Sequence, residues 1–164
     1  MKASQGIFLL LGSNLGNRTL ILENARKEIG GQIGKIVNAS LVYQTEPWGI
    51  SDQPSFFNQV LNVNSGYTPE RILKIIQEIE NRIGKVKLGK WRERLIDIDL
   101  LYFHQHIINE EKLVVPHPEI QNRRFTLVPM CELDSQFLHP VFGKTQKQLL
   151  EECNDQLSVT PLEV

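Results

Sequence analysis

The sequence predicts an α+β fold, a sheet with helices packed on it. Three observations carry that prediction. Phe56 to Asn64 alternates, with Phe57, Leu61 and Val63 on one face and Phe56, Asn58, Val60 and Asn62 on the other, which is the period of a strand. A second extended stretch, about Lys35 to Gln44, precedes it across a segment containing Pro47, Gly49 and Pro54, so the two pair as an antiparallel unit. Ile72, Ile76, Ile79 and Ile83 then recur at helical spacing. Strands and helices mixed in this way suit a sheet covered by helices.

In chain order, Ile7-Phe8-Leu9-Leu10-Leu11 is a buried strand closed by Gly12-Ser13-Asn14. A helix from about Asn17 to Ile29 follows, with Leu22, Ala25 and Ile29 as its apolar face and Gly30-Gly31 as its stop. The strand over 35–44 places Val37, Ala39, Leu41 and Tyr43 on one face. Residues 45–54 form a loop that carries Trp48. Thr68 and Pro69 start the next helix as hydroxyl N-cap and first-turn proline, and Gly84 ends it. Gln77 and Glu80, three apart on that helix, belong on a solvated face by residue type alone.

Residues 82–94 hold Arg82, Lys85, Lys87, Lys90, Arg92 and Arg94 against Glu93, and little that can pack. The segment is expected to be a loop that orders around an anion, with an ordinary solvated loop as the plainer alternative. It feeds into Leu95-Ile96-Asp97-Ile98-Asp99-Leu100-Leu101-Tyr102-Phe103, a strongly apolar strand. Residues two apart on a strand share a face, so Asp97 and Asp99 project together with α-carbons roughly 6–7 Å apart, and Ile96, Ile98 and Leu100 bury. Asp is depleted in strands, and two on one face call for a reason. Hard oxygen donors beside a phosphate-bearing substrate suit Mg²⁺, and such a pair can hold two ions. The alternative is a solvated strand edge with both acids paired to Arg92 or Arg94.

His104-Gln105-His106 fits a surface turn. Leu113-Val114-Val115 is a short strand, Glu119 to Arg124 a turn or short helix, Phe125 to Leu133 partly helical despite Pro129, and Thr145 to Cys153 a last helix. The tail from Asn154 gives no signal.

The 164 residues are expected to form a single domain over 1–164. A net charge of −1 supplies no global field for nucleic acid or membrane. Cys131 and Cys153 follow no disulfide or ligand spacing, and the apolar run Ile7–Leu11 is too short to span a bilayer, so a cytoplasmic protein is expected. Neither a Gly-x-Gly-x-x-Gly fingerprint nor a Gly-Lys-Ser/Thr phosphate loop occurs, which argues against a dinucleotide fold or a P-loop kinase.

Seven short motifs in one order resemble the hydroxymethyl-dihydropterin pyrophosphokinase family of folate biosynthesis. They are Gly12-Ser13-Asn14-Leu15; Tyr43-x-Thr45-x-Pro47-x-Gly49; Asp52-Gln53-Pro54-x-Phe56-Phe57-Asn58; Gln77-x-x-Glu80; Arg94-x-x-Asp97-Ile98-Asp99; Val115-Pro116-His117; and Asn122-Arg123-x-Phe125. The resemblance implies a ferredoxin-like sandwich, mostly antiparallel, and transfer of pyrophosphate from ATP to the hydroxymethyl group of a reduced pterin with release of AMP. It implies Arg94, Asp97 and Asp99 as catalytic residues, with Asp97 and Asp99 binding two Mg²⁺ ions. Gln77, Glu80, Lys85, Lys87, Lys90, Arg94, Ile98, Lys112, His117 and Arg123 would line the ATP site. Thr45, Pro47, Trp48, Phe56, Asn58, Trp91 and Phe125 would hold the pterin. ATP is then a co-substrate, and a monomer without nucleic-acid or membrane partners is expected. The sequence departs from the family at Arg92-Glu93, where Gly-Pro is common, at Lys85 and Lys87, where arginines are usual, and at Pro118, where an aromatic is frequent. A lysine cannot make the forked contact of an arginine, so these changes bear on the phosphate contacts.

Two other readings address the same residues. A nucleic-acid module would use 82–94 as a basic patch, but the strands lack the paired exposed aromatics of an RNA-recognition sheet. Another metal-dependent phosphoryl or glycosyl transferase would explain Asp97 and Asp99, but not Asn58 with its flanking aromatics.

Overall fold

Strand β1, Ile7–Ser13, is buried along its whole length and lies inside a six-stranded sheet, one place in from its edge. The computed structural model of the chain describes residues 4–45, 54–88 and 91–162, and only the backbone of 85–88 and 91–94. β1 pairs antiparallel with β4, Phe56–Asn64, on one side and with β7, Asp97–Phe103, on the other. β2, Lys35–Ala39, and β3, Tyr43–Thr45, both pair antiparallel with β4, and β10, Val159–Pro161, adds to β3. With helix α1, Arg18–Gln32, after β1 and α2, Pro69–Ile83, before β7, the strand order is that of the expected ferredoxin-like sandwich.

The period of two along each strand divides the core into two layers. Ile7, Leu9 and Leu11 of β1, Phe57, Leu61 and Val63 of β4, and Ile98 and Leu100 of β7 pack against α1 and α2. Phe8, Leu10, Val60 and Leu101 face the opposite way, against Leu127, Met130 and Leu149 of α3, Arg124–Asp134, and α4, Gln146–Glu152. A bulge at Leu101, between the Phe8–Tyr102 and Leu9–Leu100 pairs of the β1–β7 ladder, puts Tyr102 beside Leu101 in this second layer and returns Phe103 to the first.

Several elements differ from the sequence expectation. α1 runs through Gly30 and Gly31 because the flanking Ile29 and Ile33 are buried, and that packing outweighs the propensity loss of two exposed glycines. The glycine that the turn requires is Gly34, where a Cβ would lie 2.1 Å from the Asn64 carbonyl oxygen. The strand expected over 35–44 is two strands. A register shift between Ile36 and Asn38 bulges out Val37, and Ser40 interrupts the ladder by accepting the Val60 N–H at its hydroxyl (3.0 Å) and the Gln59 amide at its carbonyl (2.7 Å). Val37 and Leu41 are therefore exposed while Tyr43 is buried. The basic segment is not an irregular loop: β5, Lys85–Leu88, pairs antiparallel with β6, Trp91–Arg94. The tail supplies β10.

α2 begins and ends as expected: the Thr68 hydroxyl accepts the Arg71 N–H at 3.2 Å, and Gly84 takes φ 134°. β8, Ile108–Asn109, pairs with β9, Val114–Val115, and a short 3-10 turn, Ile120–Asn122, leads into α3. His104 lies in a tight turn at φ 54°, its Nδ1 accepting the Gly6 N–H at 3.1 Å. Among the described residues no helix is long and apolar enough to cross a membrane.

Candidate active site

α3 and α4 do not cover the end of the sheet face where β1, β4 and β7 present Gly12, Asn58 and Asp97. Those three residues are direct neighbours, Gly12 pairing with Asn58 on one side and with Asp97 on the other. The uncovered end is a pocket of about 190 Å³ lined by Leu10, Gly12, Thr45, Phe56, Asn58, Asp97, Asp99, Arg123 and Phe125. Residues as far apart in sequence as Leu10 and Phe125 meet here because β1 lies between β4 and β7.

One half of the pocket is built for a flat polar ring. Asn58 and Thr45 are buried, and the Thr45 hydroxyl donates to Asn58 Oδ1 at 2.7 Å. That bond orients the carboxamide, whose Nδ2 lies beside Gly12: a Cβ there would be 2.9 Å from Nδ2 and 3.9 Å from Phe56 Cδ1. Glycine thus leaves the space in which the amide can meet a ligand. Phe56 enters from β4 and Phe125 from the first turn of α3, offering aromatic faces. The Arg123 guanidinium lies 5.6 Å from the Phe125 ring centre. α3 is anchored at this end by Asp155, whose carboxylate accepts the Arg124 N–H at 3.0 Å.

The other half is acidic. Asp97 is exposed and Asp99 half-buried, both on the pocket side of β7, while Ile98 between them is buried against α1 and α2. The Ile98 N–H is taken by the Glu80 carboxylate at 3.1 Å, and Glu80 is only 6% exposed. The solvated face expected from residue type is therefore wrong for Glu80, which tethers β7 to α2, and right for Gln77, which is exposed. Beside Asp99, His117 is anchored by its N–H to the Leu101 carbonyl (2.9 Å) and accepts the Glu119 N–H at Nδ1 (3.1 Å). Burial lowers the affinity of His117 for a proton; Asp99 and Glu119 oppose that shift, and Arg123 adds to it.

Of the expected site residues, Thr45, Phe56, Asn58, Asp97, Asp99, Arg123 and Phe125 line one pocket, with His117 beside it. Ile98 can reach a ligand only through its backbone, and Lys112 is exposed on the turn before β9. Pro47, Trp48 and Lys90 lie outside the described residues, as do the side chains of Lys85, Lys87, Trp91 and Arg94. Sequence reasoning missed Leu10 as a lining residue, Gly12 as a spatial requirement, and Asp155 as an anchor.

The donor set at β7 fits Mg²⁺. Both side chains are hard oxygen donors; among the described residues no group of three or more His, Cys, Asp and Glu is placed to hold a metal ion, so the rest of the shell would come from substrate phosphate and water. An ion that keeps waters and takes substrate phosphate suits such a two-carboxylate donor set.

Sheet and pocket together define a small-molecule site, in which two aromatic side chains and a buried carboxamide stand next to two carboxylates. The family described as 7,8-dihydro-6-hydroxymethylpterin-pyrophosphokinase (HPPK) matches residues 8–135, and the chain belongs to that family. It is 36% identical over 135 residues to the 2-amino-4-hydroxy-6-hydroxymethyldihydropteridine pyrophosphokinase of Haemophilus influenzae, covering 81% of this chain and 84% of that protein. With the enzyme of the same name from Aquifex aeolicus it shares 32% identity over 146 residues, 89% and 91% of the two chains. It is also 34% identical over 152 residues to the folic acid synthesis protein fol1 of Pneumocystis carinii, but spans 20% of that protein against 93% of its own length. Among solved structures, Plasmodium falciparum HPPK-DHPS with SDX-DHP has a TM-score of 0.74 at 20% identity, over 90% of this chain and 43% of that one, a likeness of fold.

Proposed function

We propose that this protein transfers the pyrophosphoryl group of ATP to the hydroxymethyl group of 6-hydroxymethyl-7,8-dihydropterin and releases AMP, in a Mg²⁺-dependent reaction of folate biosynthesis. The observation that carries this reading is the juxtaposition, across Gly12, of a ring pocket and a carboxylate pair. Family membership supports it, and so do the names of relatives that match over most of both chains.

The pterin lies between Phe56 and Phe125, its aminopyrimidinone edge toward Asn58, which offers a donor and an acceptor side by side. Thr45 holds that carboxamide in one orientation. Asp97 and Asp99 would hold Mg²⁺, two ions in the reading carried from the family. Held there by the two carboxylates, Mg²⁺ would supply charge neutralisation for the phosphates. Arg94, Lys85, Lys87 and Lys90 then supply cations for the polyphosphate, and Arg123 and His117 reach it from the α3 side. Gln77, Glu80, Ile98 and Lys112 border the nucleotide, and Pro47, Trp48 and Trp91 complete the pterin side. In the transfer, the hydroxymethyl oxygen bonds to the β-phosphorus and the bond from that phosphorus to the α-phosphate oxygen breaks. The hydroxyl proton is lost and AMP leaves. Catalysis of this kind rests on positioning and electrostatics. We also place the protein in the cytoplasm, on its composition and cysteine usage, and read it as a monomer.

The test is phosphorus NMR of the protein with ATP, Mg²⁺ and 6-hydroxymethyl-7,8-dihydropterin. AMP and the pterin pyrophosphate should appear in equal amounts, and ADP with a monophosphorylated pterin would contradict the reaction.

A further inference from the structure

Arg18 is a charged residue that neither the fold nor the site above requires. It is the first residue of α1, where the helix dipole disfavours a cation, and the first turn holds no acid to offset it. Its side chain instead reaches across to the start of β4. The guanidinium donates to the Ser55 carbonyl at 2.6 Å and to the Ser55 hydroxyl at 3.2 Å, and stands 4.0 Å over the Phe57 ring. Gln44, on β3, donates to the same Ser55 hydroxyl at 2.9 Å.

The place matters because the β1 ladder ends at the Ser13–Phe57 pair. Beyond that pair β1 no longer supports β4, and α1 supplies Arg18 there. Ser55 and Phe57 flank Phe56, whose ring lines the pocket, and on a strand Phe56 and Phe57 point to opposite faces. A guanidinium gripping both neighbours from the far face fixes the backbone that aims Phe56, and with it Asn58 two residues on.

We propose that Arg18 is a positioning residue for the pterin, a brace behind the pocket that sets the pose of Phe56 and Asn58 and so the affinity for the acceptor rather than for ATP. This rests on the reaction proposed above. Arg18→Met keeps the apolar stem and removes the fork, and Arg18→Lys keeps the charge but cannot contact carbonyl, hydroxyl and ring together.

Steady-state kinetics with each substrate varied in turn, beside thermal unfolding, test it. Arg18→Met should raise the KM for 6-hydroxymethyl-7,8-dihydropterin by roughly five- to twentyfold, leaving kcat and the KM for ATP within about twofold, a selective loss of acceptor binding. Arg18→Lys should recover part of it, and Arg18→Gln should show the same split if the Met variant does not fold. An unchanged acceptor KM, or equal rises in both KM values with a lower melting temperature, overturns the brace. A wild type that forms no AMP overturns the reaction itself, whereas an active wild type beside unaffected variants removes only the role of Arg18.

Discussion

Gly12→Ala adds one methyl group at the junction of the two halves of the pocket. The new Cβ would stand 2.9 Å from Asn58 Nδ2, and the amide cannot retreat freely because its Oδ1 is bonded to Thr45 at 2.7 Å. Either that bond lengthens or the carboxamide rotates away from the ligand. Overpacking of this kind typically costs about 1–3 kcal/mol, and each 1.4 kcal/mol is about tenfold in affinity. Acceptor binding should therefore weaken roughly tenfold to a hundredfold. Folding should lose no more than about 2 kcal/mol, because alanine is favoured over glycine within a strand by about 0.5–1 kcal/mol, which offsets part of the strain. Calorimetric titration of 6-hydroxymethyl-7,8-dihydropterin into protein saturated with Mg²⁺ and a non-hydrolysable ATP analogue reads the first quantity, and urea unfolding reads the second. An acceptor affinity within twofold of wild type would refute the role given to Asn58.

Phe125→Ala should weaken acceptor binding more than ATP binding, by about tenfold or more for the loss of one stacking face, and equal losses in the two titrations would argue against stacking. His139 gives a pH test away from the site. Its Nδ1 accepts the Val141 and Phe142 N–H groups at 3.2 and 3.3 Å, and burial pushes its pKa down to about 4. Since the unfolded chain holds that proton up to about pH 6.5, stability contributed by the neutral ring is present above that value and is lost as pH falls toward about 4, on the order of 2–3 kcal/mol. Urea midpoints from pH 7 to 4 should fall more steeply for wild type than for His139→Asn, whose side-chain oxygen can accept the same N–H groups without titrating; parallel curves would contradict this.

The site was partly legible because its chemistry falls on strands with clean alternation. Asp97 and Asp99 could be placed on one face from the period alone, with Ile98 buried between them, and Phe56 and Asn58 likewise. The relation between those pairs was not legible, since it depends on β1 lying between β4 and β7, and register across strands is not written in any one of them. Gly12 therefore looked like the end of an apolar strand rather than the floor of a pocket. Glu80 looked solvated because a helix period cannot foresee that the edge strand β7 will offer it the Ile98 N–H. Gly30 and Gly31 carried a stop signal that two buried isoleucines overrode. The charges of residues 82–94 hid a strand pairing, and the tail revealed neither β10 nor the Asp155 anchor because three-residue strands leave too short a pattern.

The proposed reaction requires Asp97 and Asp99 to hold a divalent cation against the polyphosphate beside the ring pocket. The most direct measurement is Mg²⁺-dependent turnover of Asp97→Asn and Asp99→Asn, with circular dichroism as the control for folding. Both variants should keep a native spectrum and form no AMP at any Mg²⁺ concentration. Turnover retained in both would contradict that requirement.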